Sequence, residues 1–580
     1  MLLRIVRRFA GPYLGLIALI IVLQVAQTIA ALTLPDLNAT ILDEGVLAGD
    51  IPLVWRYGGI MLAVATVQLI ASILAVRSGA NVAMAMGRDI RSSVFSRVQR
   101  FSTAEVARFG APSLVTRSSN DVQQIQMLFN MTFTLIVMAP IMMVGGVFMA
   151  IRQDARLSVL LTVSVPLLMV VLGVVMFLLR PWFQEVQRRL DRINLVMREQ
   201  VTGVRVIRAF VREPAERRRF DTASLELFGL SVKIGRTMAV AFPVVQLIIT
   251  ASSVAVVWFG AARIEAGDMQ VGQMVAFLSY LMQIFMSVMF AMMMFMMVPR
   301  AEVCAGRIEE VLQVTPSIAD PAEPEALPSR DARGLDVRAA QLTFGYPGAE
   351  AAVLHEVDFT ARAGSTTAVI GSTGAGKSTF LNLVPRLLDV TGGALQIGGV
   401  DVRAADLSEL RSRIAVVPQT AYLFGGTLRD SLRLGHPEAS DEEIWAALGI
   451  AQAADFVKDM PGGLDATVDP GGRNFSGGQR QRLAIARALL RPADIYLFDD
   501  CFSALDVATD ARLRAALPRA TAGATTIVVA QRVSTVRDAD QIVVLDAGRV
   551  VGIGRHDELM EDCPTYVEIV LSQMSLEEAA

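Results

Sequence analysis

Apolar positions in this chain are concentrated in its first half, in runs over 13–34, 57–79, 129–151, 157–179, 239–261 and 271–298. At about 1.5 Å of rise per residue, about 20 residues cross a hydrocarbon core of about 30 Å, so each run is long enough for one spanning helix. Between the runs, MAMGRDIRSSVFSRVQRF and WFQEVQRRLDRINLVMREQVTGVRVIRAF repeat apolar residues at three and four with arginines between them. That period predicts helices continuing well beyond the bilayer, paired at short breaks near 101–109 and 212–220, where Pro214 suits a turn or a helix's first residues. From about residue 335 the pattern changes. Short runs such as TTAVI, IAVVP, DIYLFD, TTIVVA and QIVVLD alternate with helical stretches, as in an α/β domain whose sheet is covered on both faces. The intervening TPSIADPAEPEALPSRDARG is polar and proline-rich, a linker composition. The expected organisation is a multi-span all-α membrane domain at 1–312, a linker at 313–334 and an α/β domain at 335–580.

Charge refines this picture. Lysine plus arginine is 53 against 56 acidic residues, a net −3 that gives no field for attracting nucleic acid, and no nucleic-acid partner is expected. The segment 36–50 carries Asp36, Asp43, Glu44 and Asp50 and no basic residue, whereas 80–128 and 180–238 are rich in arginine. By the positive-inside bias the N-terminus and both long segments are cytoplasmic. The N-terminal MLLRIVRRF has the charge of a signal peptide's start but lacks a small-residue cleavage pattern, and reads as a retained first helix. The polar residues Thr132, Thr134, Gln246, Thr250, Ser252 and Ser253, with Gln24, Gln27 and Gln68, are expected mostly to hydrogen-bond between helices, a minority facing a pathway. The methionines of the sixth run, Met274, Met282, Met286, Met289, Met292, Met293, Met294, Met296 and Met297, suit either core packing or an apolar substrate cavity. Pro140, Pro166 and Pro243 are expected to bend their helices. Three cysteines and three histidines have no spacing for structural zinc or a disulfide framework.

The chemistry lies in the second half. Gly371, Ser372, Thr373, Gly374, Ala375, Gly376, Lys377 and Ser378, followed by Thr379, form a glycine-rich loop between the strand TTAVI and a helix. The glycines let backbone N–H groups wrap phosphates, Lys377 reaches the β and γ phosphates, and Ser378 can hold magnesium. The strand Ile495–Phe498 ends in Asp499, where a second magnesium-organising acid is needed. A further phosphate-binding helix start, Ser476, Gly477, Gly478 and Gln479, precedes LAIARALL. A second such site in one domain is redundant unless it serves another molecule's nucleotide.

Together these motifs resemble an ATP-binding cassette half-transporter of the exporter (type IV) fold, and the resemblance covers essentially the whole chain. It implies ATP with Mg²⁺, and two cassettes paired head to tail, each nucleotide lying between the Walker A loop of one and the signature of the other. It further implies that Tyr346 stacks on adenine, that Gln419 senses magnesium and the membrane domain, that Asp506 is the D-loop aspartate, and that the two breaks are coupling helices, one of them landing on the partner. Two positions depart from the family pattern. The acid that polarises the attacking water, a glutamate in the family, is here Asp500, and the switch histidine is Gln531. Losing roughly 1 Å of reach costs on the order of 100-fold in such a transfer, and Gln531 carries no ionisable ring. The resemblance is therefore to the degenerate-site subunit of heterodimeric actinobacterial multidrug or lipid exporters in the bacterial plasma membrane. Its intact signature would complete the partner's competent site. The expected cargo is a lipophilic drug-like compound or lipid. Siderophore import on the same fold and an ATP-gated channel or regulatory subunit are the alternatives.

Overall fold

The computed structural model describes residues 1–329 and 334–573, apart from the side chains of Ile136, Met294, Phe295 and Met296. Part of the linker and two of the sixth-run methionines thus lie outside the described residues. Two compact units emerge: residues 1–99 with 112–314, and residues 100–111 with 315–580.

The first unit is helical: α1 (Leu2–Ala10), α2 (Leu14–Thr40), α3 (Ile51–Val98), and, after the segment 100–111 that holds α4 (Thr103–Phe109), α5 (Ala111–Thr116), α6 (Val122–Met131), α7 (Met138–Gln153), α8 (Val159–Thr202), α9 (Val204–Ala209), α10 (Glu213–Glu265) and α11 (Val271–Gln313). Among the described residues, six helical stretches have the length and apolarity to cross a membrane. The arginine-bearing extensions are helical, and α3, α8 and α10 each run beyond 40 residues without a break. The second break falls earlier than the sequence places it. α8 stops at Gly203, whose backbone is so close to the Glu199 carbonyl that a Cβ would lie 2.9 Å from it; α9 follows, and α10 already begins at Glu213. Pro214 sits in the first turn of α10, where its missing N–H has no helical partner to lose. Residues 213–220 are therefore helix, and the turn lies within 203–212.

The expectation for the polar residues of the spans also needs correction. Thr132, Thr134 and Ser253 return their hydroxyls to carbonyls four residues back, and Gln246 reaches Thr250 on its own helix. In α2, Gln24 bridges helices, donating to the carbonyls of Phe133 and Thr134. Both carbonyls lie in a π-helical turn, 132–136. Met274 and Met289 pack on the core with Phe277, Tyr280 and Phe285, whereas Met282, Met286 and Met293 are exposed. Asp43 caps the start of α11, accepting from the N–H groups of Gly272 at 2.6 Å and Gln273 at 3.2 Å.

The second unit holds a six-stranded sheet ordered Arg549–Gly554, Gln541–Asp546, Thr366–Gly371, Thr525–Val529, Ile495–Asp499, Ile414–Val417. It is parallel except for the first strand, which pairs antiparallel at the edge. Alternate residues of one strand enter opposite cores: Tyr496 and Phe498 join one, Ile495 and Leu497 the other. This two-sided burial explains the unbroken apolar runs. An antiparallel sheet adds Leu354–Ala361, Val337–Phe344, Gly392–Ile397 and Val400–Asp401. The helix α4 belongs to this unit. Ser102 and Glu105 form a capping box at its start, the Ser102 hydroxyl lies 3.0 Å from that of Ser317, and Thr103 donates to the Leu387 carbonyl at 3.4 Å.

Candidate functional site

The parallel strands end together, and the candidate residues sit on the loops beyond them. The loop after Thr366–Gly371 turns at Gly374 (φ 89°) and Gly376 (φ 95°), a region that favours glycine, and enters the helix Lys377–Leu383. Gly371 runs so close to the neighbouring strand that a Cβ would lie 2.0 Å from the Leu545 carbonyl. The Lys377 ammonium is buried and donates to the carbonyls of Gly371 at 2.8 Å and Ser372 at 2.7 Å, folding over the loop's own backbone. Burial pushes its pKa down, with Asp500 and Asp499 pulling the other way.

Ser378 and Asp499, 121 positions apart, meet here: the hydroxyl donates to Asp499 Oδ1 at 2.8 Å. Burial pushes the Asp499 carboxyl above the ordinary range, opposed by the Ser378 hydrogen bond, while neighbouring Asp500 raises it further. A hydroxyl and a desolvated carboxylate in contact form a hard oxygen pair that fits magnesium. Magnesium bound there would neutralise phosphate charge. Tyr346, 44% exposed, touches the same corner, its hydroxyl 3.2 Å from Thr379 Oγ1 and its ring edge-on to Phe344. Its free area is available for stacking.

Asp500 is differently held. It takes φ 44°, uncommon for a residue with a side chain, and is 8% exposed. Its N–H donates to the Val529 carbonyl at 2.8 Å, and the Ser503 hydroxyl donates to its own carbonyl at 2.8 Å. Its carboxylate oxygen Oδ2 accepts from both Gln531 Nε2 at 3.1 Å and Gln419 Nε2 at 3.4 Å. Burial raises the Asp500 carboxyl, with the Gln419 hydrogen bond the largest opposing influence. The structure thus brings the two family departures, Asp500 and Gln531, into direct contact.

Ser476 to Gln479 form a second, separate feature. The Ser476 hydroxyl accepts from the Gln479 N–H at 3.2 Å and the Gln479 side chain accepts from the Ser476 N–H at 2.9 Å, a capping box that opens the helix Gly477–Leu489. Buried Phe475 anchors it, while Ser476 and Gly477 face outward. Gly478 packs against the segment before Asp506: a Cβ there would lie 3.2 Å from the Ala504 carbonyl. Asp506 caps the helix Val507–Ala520, accepting from the Thr509 N–H at 3.0 Å, a bond that lowers its pKa.

Two residues escaped sequence reasoning. Gln481, 3% exposed, donates to the Pro418 carbonyl at 3.2 Å and so ties the Gly477–Leu489 helix to the Gln419 segment. Gln573 donates to the Gln531 carbonyl at 2.7 Å and accepts from the Val533 N–H at 2.9 Å. Nothing in local pattern marks a glutamine beyond the last helix as a neighbour of residue 531. Cys501 is fully buried, and His556 meets the Tyr566 hydroxyl at 2.8 Å.

Comparison with known proteins decides the family. Residues 17–288 match the ABC transporter transmembrane region and residues 354–503 the ABC transporter domain. An uncharacterized ABC transporter ATP-binding protein of Mycobacterium tuberculosis is 49% identical over 99% of this chain and 98% of its own length. The chain belongs to the ABC transporter family. This ABC transporter chain is also 31% identical, over 94% of its length and 45% of the relative's, to a multidrug efflux ATP-binding/permease protein of M. tuberculosis. It is 30% identical to an ATP-dependent lipid A-core flippase of Syntrophus aciditrophicus, over 83% of this chain and 79% of that one. Its fold matches a bacterial Atm1-family ABC exporter solved with ATP bound, with TM-score 0.78 and 24% identity over 98% and 99% of the two chains. It is a multi-pass membrane protein with an ATP-binding domain and the exporter fold.

Proposed function

We propose that this chain is one subunit of a heterodimeric exporter that moves a lipophilic compound or lipid across the bacterial plasma membrane, with its N-terminus and ATP-binding domain cytoplasmic. Tyr346, residues 371–379, Gln419 and Asp499 hold one ATP, with Ser378, Asp499 and Gln419 around its magnesium. The observation that carries the asymmetry is the Gln531–Asp500 contact. A carboxylate one methylene short of the family's, with an amide occupying the oxygen that should receive a proton from water, is a poor general base. ATP bound there persists. Faster hydrolysis belongs to the composite site built from the partner's Walker motifs and this chain's Ser476, Gly477, Gly478 and Gln479, with Asp506 beside them. The outward position of Ser476 and Gly477 supports that role. The efflux and flippase relatives support a lipophilic cargo.

The test is magnesium-dependent ATPase activity of the purified chain, alone and in one-to-one complex with a second half-transporter that carries the glutamate. Strong activity confined to the complex is expected. Equal activity from the chain alone would make Asp500 a working catalytic acid and the assembly a homodimer.

A further inference from the structure

The helices α8 and α10 pack as an antiparallel pair whose register is set by side-chain contacts along their length. Gln200 donates to the Glu216 carbonyl at 3.0 Å, Arg189 pairs with Glu226 at 2.7 Å, and the Lys233 ammonium lies 4.4 Å from the centre of the Trp182 ring. The same register sets Arg236 beside the 178–180 stretch of α8. A rise of about 1.5 Å per residue carries α8 about 30 Å from Val159 to Arg180, the thickness of a bilayer's hydrocarbon. Lys233, Arg236, Arg180 and Trp182 therefore share the headgroup level at the α9 end of the bundle, where an indole and long basic side chains are at home.

On the hydrocarbon side of this ring lies a groove of about 380 Å³ between the two helices. Its walls include Val171, Val175, Leu178, Val240 and Val244, and Arg236 stands among its lining. No carboxylate lines it among the described residues. The nearby acids are engaged elsewhere, Glu185 with Arg188 and Arg189, and Glu226 with Arg189 and Arg192. Arg236 and Lys233 have no carboxylate partner among the described residues. An apolar slot at hydrocarbon depth, closed at headgroup level by unpaired cations, is complementary to an anionic lipid: the chain fills the slot, and the phosphate meets the cations.

We propose that α8 and α10 bind one anionic glycerophospholipid from the leaflet at the α9 end, its acyl chain in the groove and its phosphate on Arg236 and Lys233. The proposal rests only on the chain's crossing the membrane. Binding needs neither ATP nor a degenerate nucleotide site, so its outcome is separate from that of the proposed export.

The test uses the full-length chain in nanodiscs containing photoactivatable phosphatidylglycerol or photoactivatable phosphatidylcholine with identical acyl chains, labelled peptides being mapped by mass spectrometry. Phosphatidylglycerol is expected to label peptides covering 171–178 and 236–244 in preference to phosphatidylcholine. Removing each charge should weaken this labelling about fivefold, so Arg236→Gln with Lys233→Gln should reduce it about 25-fold. Arg217→Gln with Arg218→Gln, at the start of α10, should leave it unchanged. As a second route that keeps both charges, Val240→Trp should displace the label by filling the groove. Phosphatidylcholine labelling of the other spanning faces reports insertion and should persist in every variant. Equal labelling by the two lipids, or labelling indifferent to the Arg236 and Lys233 changes, would overturn the proposal. So would a cross-link from Leu178→Cys to a second half-transporter chain in place of lipid.

Discussion

The two acidic corners of the nucleotide site differ although their aspartates are adjacent in sequence. Asp499 ends a regular strand and meets Ser378, a hydroxyl that can share a cation with it. Asp500 turns out of the strand at positive φ and is held by two glutamine amides, Gln419 and Gln531, on a single oxygen. The first corner pairs a hydroxyl with a carboxylate, while in the second one carboxylate oxygen is engaged by two amide donors. In the proposed scheme, binding and hydrolysis are separated by changes at two positions, Asp500 and Gln531, on the loops after two neighbouring strands.

The sharpest way to break this contrast is through the signature. In the proposed heterodimer, Gly477→Asp places a negative charge at the helix start that should face the partner's nucleotide, and ATPase turnover should fall about 100-fold while ATP binding to this chain's own loop persists. Unchanged turnover would remove the head-to-tail arrangement. Lys377→Ala attacks the binding corner. It removes a charged hydrogen-bond donor, and this chain's affinity for ATP, read by photolabelling with an azido nucleotide, should drop at least about 10-fold. Asp500→Glu with Gln531→His converts the second corner to the family's pattern and should raise the activity of the chain alone about 10-fold. By contrast, if the proposed asymmetry holds and the partner's carboxylate carries most hydrolysis, Asp500→Asn should alter turnover of the complex less than about twofold. A loss equal to that from disabling the partner's glutamate would end the asymmetric scheme.

The smallest effect is on stability. Burial raises the carboxyl pKa of Asp500 above the unfolded value of about 3.9. The stability it contributes is fully present below that value and is lost as pH rises through the raised folded value. Without nucleotide, Asp500→Asn should therefore melt higher relative to wild type at pH 7 than at pH 4, by about 2 °C, measured by scanning fluorimetry.

Much of this was legible in advance because the signals are local. Six apolar runs of bilayer length became six spanning helices, and the break near 101–109 became α4, since length, period and a capping serine each act within a few residues. The second break was misplaced because Pro214 marks a helix start as readily as a turn, and the close approach of Gly203 to Glu199 is invisible in composition. The polar residues of the spans differ from expectation because a helical threonine or serine can return its hydroxyl to a carbonyl four residues back, which residue type alone does not reveal.

The sequence by itself determined which groups are available: a glycine-rich loop at 371–379, an acid at 499, a helix start at 476–479, and an aspartate and a glutamine where the resemblance implies a glutamate and a histidine. Tertiary structure alone decided which of these touch. Ser378 meets Asp499, Gln531 closes on Asp500, and Gln573 reaches back to hold the Gln531 segment, because parallel strand pairing brings loops from distant parts of the chain to one sheet end. It likewise decided that Arg236 and Lys233 of α10 share a level with Trp182 of α8, since the packing register of two long helices depends on every contact along them.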